Sequence, residues 1–384
     1  IGPVPGMKNY WVAVGVMAGF CQGGGVGKCI AEWIIDGEPS IDVWAMDVAR
    51  FGDYASPQYG TIKSSENYER RFIMTFPNET LPKGRKQKTT ALYDRFVNQG
   101  AVMGDSFGLE NVLWFANNKE DAHEEPTIKR SRSHDYVSKE VINVRENVGL
   151  IEVANFSKHE FKGPDARKFL DHIMAGRLPK PGRISLSPML SYRGKLCGDL
   201  TVACLDENEF MVFGSGAAQE MHRRWFESHI DKFNLSYSNR SDEYHGLSIA
   251  GPNSRKVLEK IVRDDVSNEK FKFRDSRRMF VGGVPAIINR ISFTGELGYE
   301  IYVAPHYQLK LYEELMEAGK EFNIKPFGGR ALMSMRLEKN WGAWTLDYRP
   351  DFTAKETGLD AFINWDKEFI GKESAQKENS SNKL

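Results

Sequence analysis

Twice in this sequence a strand-like run ends in Gly-Pro-Asx and a helical pattern begins at once. No other feature narrows the choice of fold as much. The first case is Gly163-Pro164-Asp165, after the alternating run Leu150–Phe161 and opening a helical pattern that reaches Met174. The second is Gly251-Pro252-Asn253, after a strand over Tyr244–Ala250 and before a helix over Asn253–Val262. Glycine and proline interrupt the strand, and a short polar side chain suits the first turn of the helix. The recurrence hints at an internal duplication and places strands and helices in close alternation.

The surrounding pattern agrees. Ser138–Val148 reads as a helix, and Leu190–Cys204 as a hairpin with Arg193-Gly194-Lys195 at its bend. Further strands are predicted at Phe210–Gly214, Arg278–Ile291 and Gly298–Val303, and helices at Gln219–Ile230, Tyr307–Glu321 and Arg330–Glu338. The expectation is an α+β chain, and 384 residues give room for more than one domain. Earlier in the chain the pattern is looser. Tyr10–Gly19 reads as a buried strand, Gln22–Gly27 as a glycine loop, and Lys28–Asp36 as a helix ended by Gly37-Glu38-Pro39. Asp53–Gln99 is polar and irregular, Val112–Ala116 is a hydrophobic patch, and 117–133 reads as an exposed loop.

Composition removes whole classes of function. The 52 basic and 52 acidic residues cancel, so no overall field attracts nucleic acid or an anionic membrane. No apolar run reaches the roughly 18 residues that a membrane-spanning helix needs. Cys21, Cys29, Cys197 and Cys204 form no CxxC pair, and no His/Cys cluster has metal-finger spacing, which suggests a reducing compartment and no metal. The basic runs Lys83–Lys88 and Lys129–His134 read as solvated loops or as a local site for an anionic ligand tail. Both chain ends read as cuts, so targeting is left open; bacterial cytoplasm is the simplest reading and a mitochondrial matrix the alternative.

Three groups of residues can carry chemistry. Gly23, Gly24 and Gly25 would let backbone approach a flat anionic cofactor, but the run lacks the GxGxxG pattern of a dinucleotide site and reads equally as a tight turn. Asp199, in GDLTV after the hairpin bend, is either a turn acid or, in a cleft, a carboxylate able to orient an amine or stabilise a developing cation. In Phe293–Glu300, FTGELGYE, the choice is between a plain turn and a carboxylate gripping a flat heterocycle covered by an aromatic ring. Arg330 and Arg336 stand on a helix, where pairing with Glu338 is the plain reading.

In combination these segments resemble a known family. From Val141 to Glu373 the chain is similar to the aminomethyltransferases (T-proteins) of glycine cleavage, through VGLIEVANF, GPDARKFLDHI, PMLSYRGKLCGDLTV, GLSIAGPNS, FTGELGYEIYV, GGRALMSMRLE and TGLDAFINWDKEFIGKESA. The first 55 residues look like the tail of the FAD-dependent amine-oxidase domain of sarcosine and dimethylglycine dehydrogenases. The resemblance implies a tetrahydrofolate-binding fold preceded by that tail: segments 1–55, a middle or linker domain 56–115, and a folate-binding domain 116–384 without its C-terminal barrel. It implies oxidative demethylation of a small N-methyl amine with FAD, and capture of the one-carbon unit on tetrahydrofolate. Asp199 matches the family's catalytic acid, Glu300 the carboxylate that grips the pterin, and Arg330 a folate-contacting arginine. Phe293 stands where the family has Tyr, and Glu296 would support Glu300. Gly23, Gly24 and Gly25 would serve the flavin side of an incomplete site, so this chain alone is expected not to hold FAD. Where the family carries two adjacent acids, this chain has Gly198-Asp199. A stand-alone aminomethyltransferase and a non-catalytic folate-binding scaffold are the rival readings, and oligomeric state is left open.

Overall fold

The computed structural model describes residues 1–17 and 19–380. In chain order the helices are α1 Phe20–Asp36, α2 Pro57–Glu69, α3 Tyr93–Asn98, α4 Ser133–Glu146, α5 Ala166–Ile173, α6 Gln219–His229, α7 Ser254–Ile261, α8 Gln308–Ala318, α9 Gly329–Glu338 and α10 Lys372–Ser380. The strands run from β1 Gly2–Pro3, β2 Trp11–Val12, β3 Ala101–Ser106 and β4 Leu109–Phe115 to β5 Gly149–Glu152 and β6 Phe156–Lys162. They continue with β7 Arg183–Leu190, β8 Leu196–Asp206, β9 Glu209–Ser215, β10 Ser236–Asn239 and β11 His245–Ala250. The last are β12 Ser276–Val281, β13 Val284–Asn289, β14 Gly298–Val303 and β15 Lys325–Pro326.

These elements form two compact units, each drawn from separated stretches of chain. Unit 1 takes Ile1–Gly52, Phe156–Arg240 and the chain from Gly342 on, and unit 2 takes Asp53–Asn155 with Ser241–Trp341. Both halves of the α+β expectation are present in each. The units are discontinuous in sequence, whereas the segments 1–55, 56–115 and 116–384 divide the chain linearly.

Unit 1 is organised by a five-stranded antiparallel sheet in the order β10-β6-β9-β8-β7. The hairpin predicted at Arg193-Gly194-Lys195 joins β7 to β8, with Gly194 at φ +75°. One face buries Phe161, Leu200, Val202, Phe210 and Val212 against Phe169, Leu170 and Ile173 of α5 and Phe226 of α6, the period-2 and helical apolar patterns meeting in one core. The first 52 residues pack on α6, where Arg224 makes two bonds to the Asp47 carboxylate, at 2.9 and 2.7 Å, and lies over the Trp33 ring.

Two expectations for that N-terminal stretch are corrected. Only Trp11–Val12 is strand, paired with Gly2–Pro3 alone; a two-residue partner cannot extend Tyr10–Gly19, and Val14 is 71% exposed. Ala18, within that stretch, lies outside the described residues, as do the last four residues of the chain. The glycine loop is helix: Gly23, Gly24 and Gly25 lie inside α1, which starts after Gly19 at φ +50°. The helix absorbs its glycines, each unfavourable by up to about 1 kcal/mol, because Val26, Cys29 and Trp33 anchor one face. Its end at Gly37, φ +85°, is where the sequence put it.

Unit 2 is organised by a six-stranded sheet in the order β12-β13-β14-β11-β5-β15. Leu247, Ile249, Ile288, Tyr299, Ile301 and Val303 enter a core with Val257 and Leu258 of α7 and Leu311 and Leu315 of α8. The single strand expected over Arg278–Ile291 is a hairpin, β12 and β13, turned at Gly282 and Gly283, both at positive φ. The stretch read as irregular contains α2, whose start was legible: Ser56 accepts from the Tyr59 N–H and Pro57 is the first helical residue. Among the described residues no helix is long and apolar enough to cross a membrane.

Candidate functional site

Period-2 alternation decides what β14 presents. Tyr299, Ile301 and Val303 go into the core, so Glu300 and Tyr302 share the opposite face. Glu300 pairs across β13 with Asn289 and across β11 with Ser248, and Asn289 pairs in turn with Ser276 of β12. A polar row, Ser276–Asn289–Glu300–Ser248, therefore crosses four strands, and every member is buried.

The row is partly bonded within itself. Tyr302 donates its hydroxyl to Glu300 Oε2 at 2.8 Å, and Ser276 Oγ donates to Asn289 Oδ1 at 2.7 Å. Burial, and then the neighbouring Glu300 carboxylate, hold the Tyr302 hydroxyl well above its usual pKa, so it stays a donor. Asn289 Nδ2 is buried with no partner among the described residues. The face thus sets an uncommitted amide donor beside a buried carboxylate, groups that complement a flat heterocycle carrying N–H donors beside a carbonyl.

The loop before β14 is braced by short bonds. Ser292 Oγ and Thr294 Oγ1 are 2.7 Å apart, Thr294 Oγ1 accepts from the Glu296 N–H at 3.2 Å, and Gly295 turns the chain at φ +87°. Lys339, just after α9, donates to the Ser292 carbonyl at 2.8 Å. Burial lowers the Lys339 pKa, and the Glu300 charge opposes that shift. Phe293 sits half-buried on this loop.

Arg330 is placed elsewhere on unit 2. Its guanidinium donates to Ser133 Oγ at 2.6 Å and to Glu124 Oε2 at 2.9 Å, while Trp114 Nε1 donates to the other Glu124 oxygen. Together with Lys129 and Arg130 of the second basic run it lines a cleft of about 470 Å³. The helix bearing it is seated by Glu140, which accepts from the Phe115 and Gly328 N–H groups at 2.7 and 2.9 Å. Burial raises the Glu140 carboxyl to about 7. Gly328 is obligatory there, since a Cβ would stand 2.2 Å from the Leu113 carbonyl oxygen. Arg336 bonds the Trp341 carbonyl at 2.9 Å, and Glu338 pairs with Arg145 instead of with the α9 arginines.

In unit 1, Asp199 is a strand residue of β8 paired with Pro188 and not a turn acid. Burial raises its carboxyl to about 7, opposed only by its own backbone N–H. A carboxyl with that midpoint holds or gives up a proton at neutral pH. Gly23, Gly24 and Gly25 are exposed on α1, with nothing within 4 Å of a Cβ at any of them. Helical backbone N–H groups are already bonded within the helix, so these glycines do not form an anion-cradling loop. No group of three or more His, Cys, Asp or Glu able to hold a metal occurs among the described residues.

Sequence reasoning reached Glu300, Asp199 and the Phe293 loop, and missed Tyr302, Asn289, Ser276, Ser248 and Lys339. Tyr302 was within reach, two residues along the same strand. The others join Glu300 only through strand pairing and a helix end.

The fold and these faces define a class, the aminomethyltransferase-type α+β fold. It is shared with the glycine cleavage system aminomethyltransferase T from Bartonella henselae, at TM-score 0.65 and 22% identity over 76% of this chain and 74% of that one. The chain belongs to the family described as GCVT N-terminal domain, which matches residues 92–367, and the FAD dependent oxidoreductase central domain matches residues 36–90. Human mitochondrial dimethylglycine dehydrogenase is 35% identical over 383 residues, covering 98% of this chain and 44% of that protein. Mouse mitochondrial sarcosine dehydrogenase is 28% identical over 431 residues, covering 99% of this chain and 46% of that protein. The chain thus spans about half the length of these curated relatives.

Proposed function

We propose that this chain is the folate-binding, one-carbon-accepting part of an FAD- and tetrahydrofolate-dependent oxidative demethylase of small N-methyl amines, of the sarcosine or dimethylglycine type. The observation that carries the reading is the buried Glu300 row. A carboxylate held by the Tyr302 hydroxyl, beside the free Asn289 amide donor, fits the edge of a pterin. When bound, tetrahydrofolate supplies the amine that accepts the carbon. Glu300 and Asn289 recognise the ring, Phe293 covers it, and Arg330 contributes from donors left over after Glu124 and Ser133. Asp199 handles the proton, its neutral form persisting to near pH 7. Gly23, Gly24 and Gly25, exposed inside α1, offer no cradle for a flavin.

The oxidoreductase match at 36–90 favours this reading over a stand-alone aminomethyltransferase. The mitochondrial names of the relatives favour a mitochondrial compartment over bacterial cytoplasm. The test is calorimetric titration of the chain with reduced tetrahydrofolate. Glu300→Ala is expected to weaken binding tenfold or more, about 1.4 kcal/mol, while Asp199→Asn changes affinity by less than about threefold. Equal affinity in wild type and Glu300→Ala, with both folded, overturns the proposal.

A further inference from the structure

His222 of α6 is buried against the sheet of unit 1 and lies outside the chemistry proposed above. Its Nε2 lies 3.0 Å from the carbonyl oxygen of Cys197, two residues before Asp199 on β8. A carbonyl only accepts, so Nε2 carries the proton and Nδ1 of the neutral ring is an acceptor. Burial lowers the His222 pKa to about 4, which keeps the ring neutral.

The backbone leaves room for this ring. A Cβ at Gly198 would stand 3.0 Å from His222 Nε2. The imidazole therefore packs tightly against the backbone at 198, where any side chain would press on its Nε2.

The far side of the ring is also constrained. His222 Nδ1, Ser157 Oγ and His159 Nε2 are buried with no partner among the described residues. A Cβ at Gly214 would stand 3.1 Å from Ser157 Oγ and 3.3 Å from His222 Nδ1, so both atoms face one small space beside that glycine. His159 borders it, anchored through Nδ1 to the Tyr237 hydroxyl at 2.9 Å, with its ring centroid 6.2 Å from that of His222. Buried polar atoms left unmet cost about 1–3 kcal/mol each. A single internal water that donates to His222 Nδ1 and bonds Ser157 Oγ relieves two of them, and His159 Nε2 can supply a third bond.

We propose that His222 is a positioning residue for Asp199: its Nε2–H holds the Cys197 carbonyl, a water shared with Ser157 holds its Nδ1, and β8 is thereby fixed where it bears the Asp199 carboxyl. The inference rests on the reading of Asp199 as the proton-handling acid, but it is tested without folate. The first measurement is nitrogen-15 NMR of the histidine side chains in the chain itself. His222 is expected to be protonated at Nε2 and bare at Nδ1 from about pH 6 to 8. The second is the carbon-13 titration of the Asp199 carboxyl. His222→Leu and Gly198→Ala are expected to move its midpoint by about half a unit or more. His222→Gln, whose amide can still donate to Cys197, is expected to restore it. A ring protonated at Nδ1, or unmoved midpoints in folded His222→Leu and Gly198→Ala, overturns the proposal. Should His222→Leu fail to fold, the wild-type tautomer and Gly198→Ala decide. Absence of folate binding would sink the proposed function and leave these readouts as they are, so the two failures are distinguishable.

Discussion

The two units start a helix in the same way and then use their carboxylates differently. In unit 1, β6 ends at Lys162, Gly163 adopts φ +136°, and the eight-residue α5 begins at Ala166. In unit 2, β11 ends at Ala250, Gly251 adopts φ +130°, and the eight-residue α7 begins at Ser254. The residues before the helices, Asp165 and Asn253, have nearly the same backbone angles, φ −101° and −94°. The hint of duplication in the two Gly-Pro-Asx segments is thus matched by conformation. Chemistry is not duplicated. Asp199 of unit 1 is pushed up to about 7 by burial, whereas Glu300 of unit 2 is given a hydroxyl donor and polar cross-strand neighbours. A shared frame fixes where strands and helices meet, and the surroundings on each sheet set the state of its carboxyl.

The largest expected effect breaks the frame itself. Gly251→Ala would force a Cβ to 2.4 Å from the Val144 carbonyl oxygen, and Gly163→Ala to 2.8 Å from Leu235 Cα, both at positive φ. Each is expected to cost at least about 2–3 kcal/mol in denaturant unfolding, Gly251→Ala the more. If either is tolerated, the two helix starts are not equivalent.

The next effect separates the carboxyls by pH. Asp199 rises from 3.8 to about 7 and Glu140 from 4.5 to about 7. Between those values the folded state holds a proton that the unfolded chain has released, so stability falls as pH rises through the window. Each group should contribute a loss of at most about 3–4 kcal/mol between about pH 4 and 7. Asp199→Asn is expected to flatten that slope in thermal melts taken across the range. An unchanged slope would mean that Asp199 titrates as in water.

Tyr302→Phe removes the donor to Glu300 and should destabilise unit 2 by about 1 kcal/mol, with a few-fold loss of folate affinity beside it. Full retention of both would show that Glu300 does not depend on the hydroxyl. Smallest is Arg330→Met, which breaks a partly exposed ion pair with Glu124 and should cost about 0.5–1 kcal/mol. Its loss of folate affinity should stay below that of Glu300→Ala; a larger loss would move the centre of recognition from the sheet row to the cleft.

By itself the sequence determined part of the local structure and singled out Asp199 and Glu300 as candidates. Strand-like runs gave β14, β11 and most of β8 with the bend before it, because such a run is a property of each strand alone. Gly37 ended α1 and Gly163 and Gly251 turned the chain, because left-handed backbone admits little else. Seven ordered blocks carried the family resemblance and with it Asp199 and Glu300. Tertiary structure decided the rest. It turned Gly23–Gly27 into helix, since the Val26, Cys29 and Trp33 face outweighed the glycines. It gathered Asn289, Ser276 and Ser248 around Glu300 and seated His222 against Gly198, pairings between residues well separated in the sequence. It also set the Asp199 and Glu140 midpoints, since burial is a property of what surrounds a group and no sequence spacing records it.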